Sequence, residues 1–134
     1  MEKITVPAKI ESLNAVLEFI GGALSRTGVD GSKQNNFLTA AEEIFINIAN
    51  YAYPSTEGNA TVATGTDRGV FAVEFSDKGI PYDPLSKADP DISLSVEERE
   101  LGGLGIFMVK RMMNEVLYRY ENGRNILTIK KRIS

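Results

Sequence analysis

The chain has 134 residues, 43% of them hydrophobic and 25% charged, which suits one globular domain with a sizeable core. With 15 basic against 18 acidic residues and a formal charge of -3, it offers no electrostatic case for binding nucleic acid or an anionic membrane. It contains neither cysteine nor histidine, which excludes disulfides, thiolate or imidazole metal sites, cysteine nucleophiles, Ser-His-Asp triads and a phosphorylated histidine.

No stretch approaches the roughly 20 apolar residues of a membrane span, and the first residues lack a signal-peptide core, so a soluble cytoplasmic protein is the expectation. Lys3 to Pro7 alternates and stops at proline, as a short edge strand does. Ile10, Leu13, Val16, Leu17, Ile20 and Leu24 recur at helical spacing and predict a helix to about Thr27. "GVDG" breaks it, with Asp30 or Ser32 placed to cap a second helix that ends before Pro54. The runs "ATVATGT" and "GVFAVEFSD", joined by Asp67, Arg68 and Gly69, read as a hairpin.

Pro81 to Leu101 holds three prolines and a cluster of acids without sustained periodicity, which predicts a long loop of the kind that serves as a lid. "GGLGIFMVKRMMNEV" is a glycine-rich turn opening into a helix near Ile106, with Ile106, Val109, Met112 and Met113 inward. "EVLYRY", "ENGR" and "NILTIKKR" close the chain as a second hairpin; its Lys130, Lys131 and Arg132 suit a solvated face. The order β-α-α-β-β-loop-α-β-β predicts an α+β fold, a two-layer sandwich with a mostly antiparallel sheet covered on one face by helices, as a single domain over 1–134.

Three constellations carry chemistry. The second helix includes "AAEEIFINIANYAYP", in which Glu43, Asn47 and Asn50 fall within one narrow arc beside the broad apolar face of Phe37, Ala41, Ile44, Phe45, Ile48 and Ala52. A carboxylate flanked by Ile44 and Ile46 is expected to be partly desolvated, which would raise its pKa and suit it to accept a proton. Asn47 offers a neutral oxygen of the kind Mg²⁺ takes; the plainer alternative is a solvent-facing polar stripe.

In "FSDKGIP", Asp77 stands at the mouth of the sheet, where a carboxylate accepts from an exocyclic amine such as that of adenine, and Gly79 lets the backbone come close to a ligand. A plain turn uses the same residues. In "LGGLG", Leu101 to Gly105, free N–H groups before a helix make an anion site, although neither a Walker A loop nor a Rossmann fingerprint is present. A flexible hinge is the alternative there. Together the three supply the separate needs of one ligand, Mg-ATP.

Their order resembles a known family. Glu43-x-x-x-Asn47 resembles the N box, Asp77-x-Gly79-x-Pro81 the G1 box and Gly103-x-Gly105 the G2 box of the GHKL superfamily, shared by gyrase B, Hsp90, histidine kinases and MutL. The length and the phrasing "GGLGIFMVKRMMNEV...ENGRNILTIKKR" are most similar to bacterial anti-sigma-factor serine kinases. The resemblance implies the Bergerat-type ATP-binding fold, with ATP and Mg²⁺ as cofactors. It implies Glu43 as general base, Asn47 as Mg²⁺ ligand, Asp77 as the adenine-reading carboxylate and Gly79 as the glycine beneath the base. Gly102, Gly103, Leu104 and Gly105 would lie under the phosphates, residues from about 82 to 101 would form the ATP lid, and Arg99 is the nearest candidate for a lid arginine at the γ-phosphate.

Two departures stand out. Tyr51 occupies a position where many relatives carry histidine, and Arg124-Asn125 replaces a Gly-Thr pair whose threonine helps hold adenine, leaving Asn125 to assist through its amide. The activity implied is that of a serine/threonine protein kinase that phosphorylates a serine of a small anti-anti-sigma (STAS-type) partner and otherwise sequesters a sigma factor. Dimerisation through the sheet side is implied too, without nucleic acid or membrane as partner. Three alternatives are ATP hydrolysis with Glu43 activating water, an ATP-gated binding module without phosphoryl transfer, and a catalytic domain separated from a histidine kinase.

Overall fold

A computed structural model describes residues 1–86 and 103–133. Of the expected lid, residues 87–101 lie outside the described residues, as do Arg99 and Gly102. The strands are β1 (Glu2–Pro7), β2 (Asn59–Asp67), β3 (Val70–Asp77), β4 (Glu115–Glu121) and β5 (Arg124–Arg132). The helices are α1 (Leu13–Ser25), α2 (Gly31–Tyr51) and α3 (Gly103–Met112). The sheet runs β1-β2-β3-β5-β4 with every pairing antiparallel, and β1 lies at an edge as its proline predicts. The α+β sandwich expected from the element order is the fold observed.

Both hairpins turn through two left-handed residues, Arg68 and Gly69 (φ 52° and 79°) and Asn122 and Gly123 (φ 55° and 77°). Such two-residue turns match the twist of the flanking strands and so set the register. In the register that follows, Asp77, the last residue of β3, stands opposite Asn125 of β5. A strand reverses face at every residue, so a slip of one position would turn Asp77 away from the helices.

One face of the sheet carries Val62, Phe71, Val73, Phe75 and Ile129, all buried against Val16, Ile20 and Leu24 of α1, Phe37, Ile44 and Phe45 of α2 and Val109 of α3. Phe37 and Phe71 meet edge to face, ring centroids 5.0 Å apart at 79°. The Asp30 carboxylate caps α2 by accepting from Lys33 N–H at 2.9 Å, one of the two capping residues the sequence offered.

Three local expectations are corrected. Ile10 is 48% exposed, because it opens a separate 3₁₀ turn (Ile10–Ser12) rather than joining the buried stripe of α1. α1 ends at Ser25, and Thr27 turns its hydroxyl back onto the Leu24 carbonyl at 2.6 Å. α3 begins at Gly103, three residues before Ile106, so Gly103 and Gly105 lie in its first turn.

The core contact and the cap differ in weight. Phe37→Ala is expected to destabilise the fold by about 3–5 kcal/mol, since it opens a cavity between α2 and the sheet. Asp30→Ala should cost only about 1 kcal/mol. Urea unfolding of the two variants checks both the order and the size.

Candidate functional site

The end of α2 and the end of β3 are tied directly. Ile80 N–H donates to the Ala52 carbonyl at 2.9 Å, and a Cβ on Gly79 would overlap that same carbonyl. The sequence suggested that Gly79 allows close approach to a ligand; the approach seen is to the last turn of α2. Tyr53 fastens the same turn from the other side, its hydroxyl donating to Asn59 O at 2.7 Å and accepting from Lys78 N–H at 2.8 Å. Its ring lies over Gly58, where a Cβ would collide with it. Burial pushes the Tyr53 phenol above its ordinary value of 10.0 although the Lys78 N–H pulls the other way, so it stays protonated at neutral pH.

Asp77, 6% exposed, is held by this turn. Its Oδ1 accepts from Gly79 N–H at 2.9 Å and from Asn125 Nδ2 at 3.0 Å. Asn125 also donates to Ile80 O at 2.8 Å, while its Oδ1 accepts from Tyr82 N–H at 3.1 Å and from the Tyr118 hydroxyl at 2.5 Å. Burial holds the Tyr118 phenol above its ordinary 10.0, which keeps it protonated as that donor. Among the described residues Asp77 Oδ2 has no protein partner, and no enclosed side-chain nitrogen or oxygen lacks one. Oδ2 is therefore open to a ligand rather than sealed in the core.

A cleft opens over this carboxylate, concave and mostly apolar with a few polar groups, as small-molecule sites are. Ile44, Ile48, Phe75, Ile80 and Leu127 give it apolar walls, and Asn47, Asp77 and Asn125 are its polar groups. Tyr51, 48% exposed, and Tyr82 also line it, their ring centroids 6.1 Å apart and tilted by 35°. A flat ring with an exocyclic amine fits such walls and such an acceptor.

Glu43, half-buried, stands one turn before Asn47 on α2. Its carboxylate packs against Gly105, where a Cβ would meet Oε2, so the polar notch of α2 touches the first turn of α3. Asn50, the third member of the notch, is exposed. The structure thus brings Asn47, Asp77 and Asn125 to one cleft, Gly79 to the Ala52 carbonyl and Glu43 to Gly105; Gly103 and Leu104 open α3. Sequence reasoning missed Tyr53 and Tyr118. The alternation of "EVLYRY" and the Asn-Gly turn hold a signal for Tyr118, because Tyr120 faces Asn125 and Tyr118 is its diagonal neighbour. Nothing local marks Tyr53.

Compared with known proteins, residues 6–131 match the family model described as a histidine kinase-like ATPase domain. The chain belongs to the histidine kinase-like ATPase family. Similar proteins include serine-protein kinase RsbW of Bacillus cereus strain AH187, 26% identical over 132 residues, covering 96% of this chain and 82% of that protein. RsbW of Bacillus anthracis strain A0248 is 25% identical with the same coverage. Among solved structures, the RsbU and RsbW domains of Rv1364c from Mycobacterium tuberculosis superpose with a TM-score of 0.64 at 16% identity. That match covers 99% of this chain, which spans only 33% of the solved one. Acinetobacter baumannii histidine kinase AdeS gives a TM-score of 0.50 at 11% identity, over 100% of this chain and 70% of that one. At such identities the two structures establish the shared fold alone. The superfamily expected from the three boxes is the one found, and among the described residues no helix is long and apolar enough to cross a membrane.

Two glycines of this ATPase-family domain separate backbone from side-chain crowding. Gly79→Ala should lower stability by about 1–3 kcal/mol, because its Cβ meets backbone that cannot move aside. Gly105→Ala meets only the far end of the Glu43 side chain and gains helix propensity of up to about 1 kcal/mol. Thermal unfolding of the pair is expected to show a lowered midpoint for Gly79→Ala and none for Gly105→Ala.

Proposed function

We propose that the protein is an ATP-dependent serine/threonine protein kinase of the anti-sigma-factor type. In this reading it phosphorylates a serine of a small anti-anti-sigma (STAS-type) partner and otherwise sequesters a sigma factor. The observation that carries it is the packing of the Glu43 carboxylate against Gly105, with Asn47 in the adjoining cleft. A carboxylate beside the start of α3 supports Glu43 as the base in this reading, with the phosphates over that helix start. The RsbW names of the curated relatives support the same reading.

The roles follow from the donor set. Asp77 Oδ2 accepts from the exocyclic amine of adenine, and the apolar walls take the ring. First-turn N–H groups of α3, at Gly103, Leu104 and Gly105, face the phosphate charge. Asn47 would hold Mg²⁺ through one neutral oxygen, and the ion would offset phosphate charge there. Glu43 accepts the proton of the partner's serine hydroxyl as that oxygen bonds to the γ-phosphorus; the bond from phosphorus to the bridging oxygen breaks and ADP leaves. Phosphoryl transfer asks mainly for positioning and charge stabilisation, so this donor set suffices without histidine.

Radiolabel transfer from γ-labelled ATP with Mg²⁺ to a candidate anti-anti-sigma protein tests the reading. Glu43→Ala should keep nucleotide binding and lose transfer by about 100-fold or more, the scale of general-base catalysis. Asp77→Asn should abolish nucleotide binding, because its amide offers a donor where the amine needs an acceptor. Unimpaired transfer by the Glu43 variant would sink the assigned base.

A further inference from the structure

We propose that Asn125 is the positioning residue that sets the base preference of the cleft. By occupying Oδ1 of Asp77 it leaves Oδ2 as the acceptor offered to a purine, and so selects a 6-amino over a 6-oxo ring. The inference rests on the nucleotide-binding reading above and assigns a role to a residue that departs from the family pattern.

An asparagine side chain offers two N–H donors and a carbonyl oxygen that accepts twice. All four positions of Asn125 are taken: Asp77 Oδ1 and Ile80 O on the nitrogen, Tyr82 N–H and Tyr118 O–H on the oxygen. Two of these partners leave no ambiguity, since a carbonyl only accepts and a backbone N–H only donates. They fix which way the amide faces, and the nitrogen must lie toward Asp77. At 7% exposure and with its bonding complete, Asn125 cannot also bond a ligand without breaking one of these contacts.

Beside the occupied Asn125, the group Asp77 offers to the base is a carboxylate oxygen, an acceptor only. An exocyclic amine satisfies it, whereas a ring carbonyl in the same place would set acceptor against acceptor. Without Asn125 the carboxylate keeps only the Gly79 N–H as a described donor and is held less firmly. Water could then enter between it and a ring carbonyl, donating to both, and the distinction between the two purines would fade.

The test is equilibrium binding of adenylyl and guanylyl imidodiphosphate, each with Mg²⁺, to the full chain and to Asn125→Ala. The unaltered protein is expected to bind the adenine analogue at least about tenfold more tightly. In Asn125→Ala that ratio should fall at least about fivefold, through loss of adenine affinity with guanine affinity little changed. A merely structural contribution would weaken both analogues together, and an unchanged ratio overturns the proposal. If the unaltered protein binds both equally, this inference falls and Asp77 loses its role as reader of the amine while the nucleotide site stands; if it binds neither, the nucleotide-site reading falls and takes the inference with it. Should circular dichroism show Asn125→Ala unfolded, Tyr118→Phe decides, because it removes one bond to the Asn125 oxygen and keeps the ring. A ratio lowered about two- to fivefold supports the role, and one left intact overturns it.

Discussion

The hydrogen bond from Ile80 N–H to the Ala52 carbonyl joins the end of the longest helix to the turn that leaves β3. It requires the glycine at 79, since any side chain there would occupy the space of the carbonyl. Because the bond is made between two backbones, it fixes the height of α2 over the sheet independently of side-chain rotamers. Asn47 and Asp77, one on each element, consequently face a common cleft. The Phe37–Phe71 contact fixes the opposite half of α2, so the helix is held at two points along its length.

A buried carboxylate at the end of a strand costs free energy unless it is hydrogen-bonded, and here the bonds come from the turn and from the neighbouring strand. Both described donors converge on one oxygen of Asp77, and the second oxygen stays open. The arrangement is specific because its members are ordered by backbone: Gly79 N–H orients the carboxylate, while Ile80 O and Tyr82 N–H orient the amide of Asn125. Tyr53 holds the turn through the carbonyl of Asn59 and the N–H of Lys78.

The fold class, the two hairpins and the bodies of the helices were legible because they depend on period and turn chemistry, which are local. The left-handed Arg68-Gly69 and Asn122-Gly123 pairs fall where the sequence marked turns. The start of α3 was not legible, since glycines read as a turn and helix entry there is a tertiary outcome. At the site, Glu43, Asn47 and Asp77 could be singled out because polar groups break an apolar pattern. The tyrosines that brace the surroundings of Asp77 were less visible: Tyr118 depends on hairpin register, and Tyr53 on the path of the chain from α2 into β2. For Gly79 the structure adds a neighbour that the sequence did not mark, the Ala52 carbonyl, because a sequence tells that space is needed and not what fills it.

The two departures from the family pattern have a common target. Tyr51, where many relatives are expected to carry histidine, places its ring beside that of Tyr82. Asn125, in place of the expected threonine, accepts from the backbone N–H of the same Tyr82 and binds the carbonyl of Ile80. Both grip the segment that follows β3 along the cleft, one by ring contact from the end of α2 and one by hydrogen bonds from β5. One short stretch of the cleft wall is therefore held from the helix layer and from the sheet at once.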